Sequence, residues 1–241
     1  MSKSITQFTL LGFIILNVFG CDAGKNEEVP IWSQPQGANL IFDIDLNPEI
    51  YRLSNFGEPP QMALWIENLD ASEVKTLWVS SRLARGVWVG KVVCPTALPY
   101  WISRRDIESG GGLPSFLKPL PDGITGATPK EVLKVYAAVE PGSEWKYYLE
   151  LNVSGDYNDS FKASQNNGSP DPDGNGQPSI IYSGFIQAIP AWADTARILG
   201  RTEQMKPSST VNPDLSGLTS AHRVLRELTV TYREVRGVPD E

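Results

Sequence analysis

Histidine and cysteine are scarce in this sequence. The 241 residues include one histidine, His222, and two cysteines, Cys21 and Cys94. A closed structural zinc site needs four such ligands, so this class of site is excluded. A Ser-His-Asp triad would have to use His222, and no Gly-x-Ser-x-Gly elbow occurs in the chain. The sequence therefore contains no complete catalytic set, which favours a protein that is not an enzyme.

Clusters of positive charge are also missing. The chain has 21 lysines and arginines against 28 aspartates and glutamates, which gives a net charge of −7. Arg104 and Arg105 form only a pair. Because binding to a phosphate backbone needs a basic face, we exclude nucleic acid as a partner.

The N-terminal hydrophobic run, Phe8–Phe19, is too short to span a bilayer. It follows Lys3, and this arrangement predicts a signal peptide over residues 1–20. The run ends in Val18-Phe19-Gly20-Cys21, which resembles the bacterial lipoprotein box. The resemblance implies that Cys21 is lipidated and becomes the new N-terminus. The alternative is a cleaved secretory peptide that leaves Cys21 as an ordinary residue.

Lipidation of Cys21 would place the protein in the cell envelope, anchored on the periplasmic side or at the cell surface. Stable anchoring needs more than one acyl chain, and a lipoprotein cysteine carries that many. We predict a flexible tether over residues 21–36 and a single folded domain over residues 37–237. Cys94 would have no disulfide partner. We interpret it as a small buried side chain, with a reactive thiol as the alternative.

Aromatic residues, glycine and proline favour strands separated by turns. The chain contains seven Trp, eight Tyr, eight Phe, 21 Gly and 19 Pro. Strand-like runs are separated by turn signals about every eight to twelve residues, which is typical of a sandwich or barrel. We predict a mostly β protein: an antiparallel β-sandwich, immunoglobulin-like or related, with one to three short helices. The predicted strands are Leu40–Leu46, Met62–Asn68, Lys75–Ser80, Val87–Val93, Glu131–Val139, Glu144–Val153, Ser179–Ile189 and Leu228–Val235.

Residues Glu144–Val153 show the clearest alternation in the chain. One face carries apolar side chains, and we expect it to be buried. The other face carries Lys146, Tyr148, Glu150 and Asn152, and we expect it to meet water. Short helices are predicted at Pro99–Glu108, at Trp192–Gly200 and at Thr219–Arg226, where Thr219 or Ser220 is a suitable N-cap.

A compact motif, Asp122-x-x-Thr125-Gly126-Ala127-Thr128, precedes the Glu131 strand. It resembles the acceptor pattern of bacterial flavin transferases, which join the FMN phosphate to the hydroxyl of the last threonine. The resemblance implies FMN attached at Thr128, with Asp122, Thr125 and Gly126 forming its surroundings. The alternative is a tight turn in which Asp122 caps backbone N–H groups and Gly126 takes a positive φ.

A second motif, Asp171-Pro172-Asp173-Gly174-Asn175-Gly176, imitates the start of a calcium loop. Asp171, Asp173 and Asn175 supply oxygens at alternating positions, as a Ca²⁺ site requires. The twelfth position is Tyr182 instead of the usual bidentate glutamate. The alternative interpretation is a solvated acidic loop.

Two further side-chain sets have open interpretations. Asp43 and Asp45 share one strand face, where they suit acid–base or metal chemistry, or simply a solvated outer face. Tryptophans of the predicted strands and of the Pro99 helix suit either a ligand-stacking platform or the core. The four residues concerned are Trp65, Trp78, Trp88 and Trp101.

Several short strings together resemble the DUF2271 family, which consists of exported bacterial proteins predicted to be periplasmic. They cover most of residues 38–235. The strings are PQMALWIE at 60–67, ALPYW at 97–101, the 122–128 motif, ELNVSGDYN at 150–158, GNGQPSIIY at 174–182 and GRTEQ at 200–204. The resemblance implies an immunoglobulin-like or related β-sandwich and brings no activity or catalytic residue. It also implies the company of flavin transferases and membrane redox proteins as partners.

Two hypotheses of function follow. The first is a lipid-anchored, non-enzymatic β-sandwich that binds a ligand or partner through the connections that carry residues 122–128 and 156–178. It needs no cofactor. The second is an electron-transfer protein that carries FMN on Thr128, attached by a separate flavin transferase.

Overall fold

The structure is a computed structural model that describes residues 37–87, 97–109, 112–121, 125–126, 129–164, 168–206 and 208–234. The strands are β1 Leu40–Leu46, β2 Gln61–Glu67, β3 Val74–Ser80, β4 Thr125–Gly126, β5 Val132–Ala137, β6 Glu144–Asn152, β7 Ile180–Gln187, β8 Ala193–Thr195, β9 Arg197–Arg201 and β10 Leu225–Tyr232. The helices are α1 Pro48–Tyr51, α2 Ser81–Arg85, α3 Pro99–Ser109 and one 3-10 turn, Ala221–Arg223. Most of the predicted Val87–Val93 strand, and Cys21 and Cys94, lie outside the described residues.

The strands form two sheets, which confirms a mostly β sandwich with three short α-helices. Sheet A has the order β5-β1-β10-β8, and sheet B has the order β4-β3-β2-β6-β7-β9. All pairs are antiparallel except β3 with β4. The immunoglobulin-like topology stays a prediction.

The main core lies between the facing sides of the two sheets. Alternate residues of β1 and β6 point into it, because successive side chains of a strand lie on opposite faces. Phe42, Ile44 and Leu46 are fully buried there. Trp145, Tyr147, Leu149, Leu151 and Val153 are buried opposite them, as the alternation predicted.

A second core lies on the outer face of sheet B, under α2 and α3. Trp65 of β2 and Trp101 of α3 are both fully buried, together with Leu98 and Leu83. The molecule therefore has three layers: sheet A, sheet B and the helices. None of the described helices has the length and hydropathy of a membrane span.

This helical layer corrects the prediction that the second face of β6 meets water. Tyr148, Glu150 and Asn152 are 9%, 0% and 2% exposed. The alternation correctly separated the two faces. It carried no information on what covers the polar one: α3 bonds Glu150 through Trp101, 49 residues earlier in the chain, and the backbone carbonyls of Asn175 and Gln177 cover Asn152.

Two predicted helices were wrong. Residues 192–200 instead form β8, which pairs with β10, and most of β9, which pairs with β7. Residues 219–226 contain only the 3-10 turn before β10 begins at Leu225. A helix of eight or nine residues is marginal by itself, so open sheet edges that supply backbone hydrogen bonds outweigh its propensity.

The strand registers place the long and the short connections at opposite ends. At one end β2 begins opposite the end of β6, with Gln61 beside Asn152. We call this the loop end; it carries α2, β4 and residues 153–179 and 202–220. The other, hairpin end carries the turns 68–73, 138–143 and 188–192 and both ends of the described domain.

Candidate functional site

The two described residues of the flavin-like motif form β4 at the edge of sheet B. Thr125 lies opposite Val79 and Gly126 opposite Ser80, in parallel with the end of β3. Both are half-buried. Asp122 and Thr128 lie outside the described residues.

Gly126 takes an extended strand conformation, and this corrects the tight-turn interpretation, which gave it a positive φ. The reason for glycine is instead a close approach. A Cβ atom at this position would lie 2.8 Å from Nε1 of Trp78. The indole of Trp78 is itself buried, at 7% exposure, so it belongs to the core and not to an open stacking platform.

The predicted calcium loop is ordered by its first carboxylate. Asp171 accepts hydrogen bonds from the Tyr157 hydroxyl at 3.1 Å, from the N–H of Asp173 at 3.2 Å and from the N–H of Gly176 at 3.3 Å. Asn175 is 8% exposed, and its carbonyl accepts a hydrogen bond from the Asn152 amide. Within the described ranges, no three histidine, cysteine or acidic side chains come together as metal ligands.

A buried polar network fastens this loop to residues 219–220. The Gln177 amide, 1% exposed, donates to Asp156 at 2.7 Å and accepts from the N–H of Thr219 at 2.9 Å. The hydroxyl of Ser220 donates to the same Asp156 carboxylate at 2.6 and 2.7 Å. Burial raises the pKa of Asp156 while Ser220 opposes that rise. Every side chain in the network is engaged within the protein, so it holds loops together.

The most deeply buried carboxylate is that of Glu150, on the outer face of sheet B. It accepts from the backbone N–H of Trp101 at 2.7 Å and of Tyr100 at 3.3 Å, at the start of α3. The Ser179 hydroxyl donates to it at 2.6 Å and lies 2.7 Å from the Thr202 hydroxyl. Burial raises the pKa of Glu150 to about 7, against the effect of these donors. Its position makes it a helix cap without access to a substrate.

The same helix holds a second buried acid. Arg104 makes a bidentate ion pair with Glu67 at 2.7 and 2.8 Å, and the indole N–H of Trp65 donates to that carboxylate at 2.8 Å. Trp65 stacks on Tyr148 with ring centroids 5.3 Å apart. These contacts fix α3 on sheet B, which identifies Trp65 and Trp101 as core residues.

Asp43 and Asp45 lie on the solvent side of β1 and are paired with cations on neighbouring strands. Asp43 forms an ion pair with Lys134, and Asp45 lies 3.3 Å from Arg226. This agrees with the solvated-face interpretation. His222 lies half-buried in the 3-10 turn, where its carbonyl accepts from the Tyr182 hydroxyl at 3.5 Å.

A cleft with a volume of about 600 Å³ opens at the hairpin end. Its apolar wall includes Trp145, Tyr232 and Val139, and Asn39 holds the wall together by bonding both the N–H and the carbonyl of Val139, at 2.9 and 2.7 Å. The Lys75 ammonium lies 4.5 Å from the centre of the Trp145 ring.

The charges around the cleft are unbalanced. The part of its lining that the structure describes contains one ammonium, that of Lys75, and two carboxylates, those of Glu140 and Glu234, both on exposed residues. Lys75 is already paired with Glu73 at 2.9 Å. Two exposed carboxylates of the described lining thus lie beside a wall that includes Trp145 and Tyr232. Sequence reasoning missed this cleft, because its lining comes from four separate segments of the chain, near residues 37, 75, 140 and 233.

Comparisons with protein-family models, with curated proteins and with solved structures found no match to this chain. The resemblance to DUF2271 proteins thus stays a prediction.

Proposed function

We propose that this chain is a lipid-anchored, non-enzymatic protein of the cell envelope whose β-sandwich binds a small ligand in the cleft at the hairpin end. Export and anchoring rest on the sequence of residues 1–21. The binding role rests on the cleft, whose volume and partly apolar lining are typical of small-molecule sites.

The lining favours a ligand that has both an amino group and an apolar ring. Trp145 and Tyr232 supply only a small aromatic contact area, since they are 7% and 6% exposed, and Glu140 and Glu234 attract a cation at the mouth. The Gln177, Asp156 and Ser220 side chains at the loop end, by contrast, already bond one another within the fold. This contrast moves the proposed contact surface from the loop end, which the sequence favoured, to the hairpin end.

Isothermal titration of the full chain with phenethylamine, and with 2-phenylethanol as its uncharged analogue, tests the binding role. We expect the amine to bind more tightly, by roughly tenfold for one charge-assisted hydrogen bond. Glu140→Gln should remove this preference. Glu203→Gln, an exposed carboxylate paired with Lys206, is the matched control. Equal binding of amine and alcohol, or a preference unaffected by Glu140→Gln, would contradict the proposal.

Anchoring is tested separately by expression in bacteria and mass spectrometry of the membrane-extracted protein. We expect a mature chain that begins at Cys21 with the added mass of acyl chains. Cys21→Ala should leave the unprocessed precursor. A wild-type chain without lipid mass would reject the anchor and leave the cleft proposal intact.

The second candidate is a flavin carrier with FMN on Thr128. The position of Thr125 and Gly126 at a half-buried sheet edge supports it, because a transferase needs an accessible segment. Its partners would be a flavin transferase and redox proteins of the envelope. Co-expression with a flavin transferase should add the mass of FMN and absorbance near that of bound flavin. Thr128→Val should abolish both and Thr125→Val should not; an unshifted mass would remove this candidate.

A further inference from the structure

Two large apolar side chains stand side by side at the tip of a turn on the loop end. Phe116 is 76% exposed and Leu117 is 88% exposed. The turn is closed by hydrogen bonds between the backbones of Ser115 and Lys118, at 3.1 and 3.0 Å, and by the Ser115 hydroxyl, which accepts from Lys118 at 3.2 Å. Folding thus presents these two side chains instead of hiding them.

The turn is held firmly against α2. Gly86, which ends this helix with φ +59°, lies so close that a Cβ atom there would be 2.7 Å from the Cα of Ser115. On the other side, the N–H of Leu120 donates to the carbonyl of Ala84 at 2.9 Å. Prolines 114, 119 and 121 restrict the backbone further. The turn therefore loses little conformational entropy when its tip binds to another surface.

The surroundings of the tip extend the apolar surface and add positive charge. Leu113, which precedes the turn in the chain, is 44% exposed. Val87, which follows Gly86 and therefore lies near Ser115, is 37% exposed. Lys118 belongs to the turn itself and supplies this charge. Residues 112–121 contain no carboxylate, in a chain whose net charge is −7. This local charge suits an anionic surface.

We propose that the Phe116–Leu117 turn inserts into the interfacial region of an anionic lipid bilayer. A stable protein interface buries about 800 Å² per partner, far more than the tip of one turn offers. Lipid needs no complementary shape, and it solvates a convex apolar tip while its headgroups meet Lys118. The turn would then hold the loop end at the membrane. This contact does not depend on lipidation of Cys21.

Fluorescence of a local probe tests the proposal. The full chain with Cys21→Ser and Cys94→Ser receives Leu117→Cys, labelled with NBD, and is mixed with vesicles of phosphatidylcholine and 30% phosphatidylglycerol. We expect a blue shift of the emission and quenching by brominated lipids. The control carries the label at Leu69→Cys, since Leu69 is 46% exposed in the turn 68–73 at the opposite, hairpin end. Its emission should stay unchanged, even if the N-terminal segment tethers the chain to the vesicle.

A second arm keeps Cys94 and carries Cys21→Ser, so that acyl chains do not hold the protein on the vesicle. Phe116→Asp with Leu117→Asp should lower the partition coefficient of the chain onto the vesicles by roughly tenfold or more, whereas Leu69→Asp should not. The proposal fails if the label at 117 stays unshifted while the chain is vesicle-bound. It also fails if the shift occurs without lipid and grows with protein concentration, because a second copy would then cover the turn.

Discussion

The carboxylate of Glu150 caps α3 by accepting a 2.7 Å hydrogen bond from the backbone N–H of Trp101. One fully buried acid on the central part of sheet B thereby fixes the start of the helix that covers it. No cation neutralises this carboxylate among its hydrogen-bond partners in the described structure, which are two backbone N–H groups and the Ser179 hydroxyl.

The stability of the fold should therefore depend on pH through Glu150. Burial raises its pKa from 4.5 to about 7, so the folded protein binds this proton more tightly than the unfolded chain. The contribution is fully present below pH 4.5 and is lost as pH rises to about 7, by on the order of 3 kcal/mol. Urea unfolding at pH 4.5, 6 and 8 measures it.

Glu150→Gln serves as the comparison, because its amide does not titrate. We expect a smaller decline of the unfolding free energy between pH 4.5 and 7 in this variant. The buried Asp156, whose pKa is also raised, adds a decline of the same sign, so Asp156→Asn is measured in parallel. An identical pH profile for wild type and Glu150→Gln would refute the assignment.

Loss of the ion pair on α3 should be costly. Arg104→Ala leaves the Glu67 side chain, only 2% exposed, with the Trp65 indole as its remaining donor in the described contacts. We expect the free energy of unfolding to fall by about 3 kcal/mol, since an unpaired buried charge is left behind. Lys206→Ala breaks an exposed pair and should change the free energy of unfolding little. Equal effects of the two variants in urea unfolding would count against this account.

Gly126 should resist enlargement because of Trp78. Gly126→Ala places a methyl group 2.8 Å from the indole Nε1, and we expect a loss of about 1 to 3 kcal/mol. Trp78→Phe removes the atom in the way, so its combination with Gly126→Ala should cost less than the sum of the single changes. Additive losses in a thermal or urea double-mutant cycle would show that the two sites do not touch.

The Gln177 network should protect residues 156–178 from proteolysis. Gln177→Ala leaves the Asp156 carboxylate and the Thr219 N–H without this partner, which predicts a loss of about 2 kcal/mol and faster proteolysis in this loop. Gln187→Ala, where an exposed amide bonds Glu144, is the matched control and should leave cleavage unchanged. Limited proteolysis with mass mapping compares the two variants.

Calcium binding through Asp171, Asp173 and Asn175 stays a proposal that the same assay can address. Ca²⁺ at millimolar concentration should protect residues 156–178 from cleavage, and Asp171→Asn should abolish the protection. Asp171 also accepts three hydrogen bonds in this loop, so Asp171→Asn could change cleavage without any metal. Each variant is therefore digested with Ca²⁺, with Mg²⁺ and without metal, and protection is judged within that variant. Protection that is equal with Mg²⁺, or absent, would exclude a calcium site.

Local patterns predicted strands well where one face is apolar. β1 was predicted at its observed bounds, Leu40–Leu46, and β6 within one residue, because an alternation of period 2 is a property of the segment itself. α3, predicted at Pro99–Glu108, was also placed within one residue. The errors at 192–200 and 219–226 concern short segments, whose conformation follows from the partner strands that bond them.

The candidate binding cleft could not be predicted from the sequence. The flavin-like motif at 122–128 is described only at Thr125 and Gly126, which lie at the loop end. The calcium-like motif at 171–176 lies at the same end. The cleft brings together Lys75, Glu140 and Trp145 with residues near both ends of the domain, and no pattern of spacing relates these positions. The exposure of Phe116 and Leu117 could likewise not be predicted, because apolar residues between prolines are compatible with either a buried or an exposed turn.

The sequence by itself determined the β-rich class and the inner face of β6, because periodicity and residue inventory are local quantities. Only the tertiary structure decided that Glu150 is buried, that α3 forms a third layer and that Lys75 meets Trp145. Burial and proximity depend on which distant segments pack together, and packing is settled by the free energy of the whole chain.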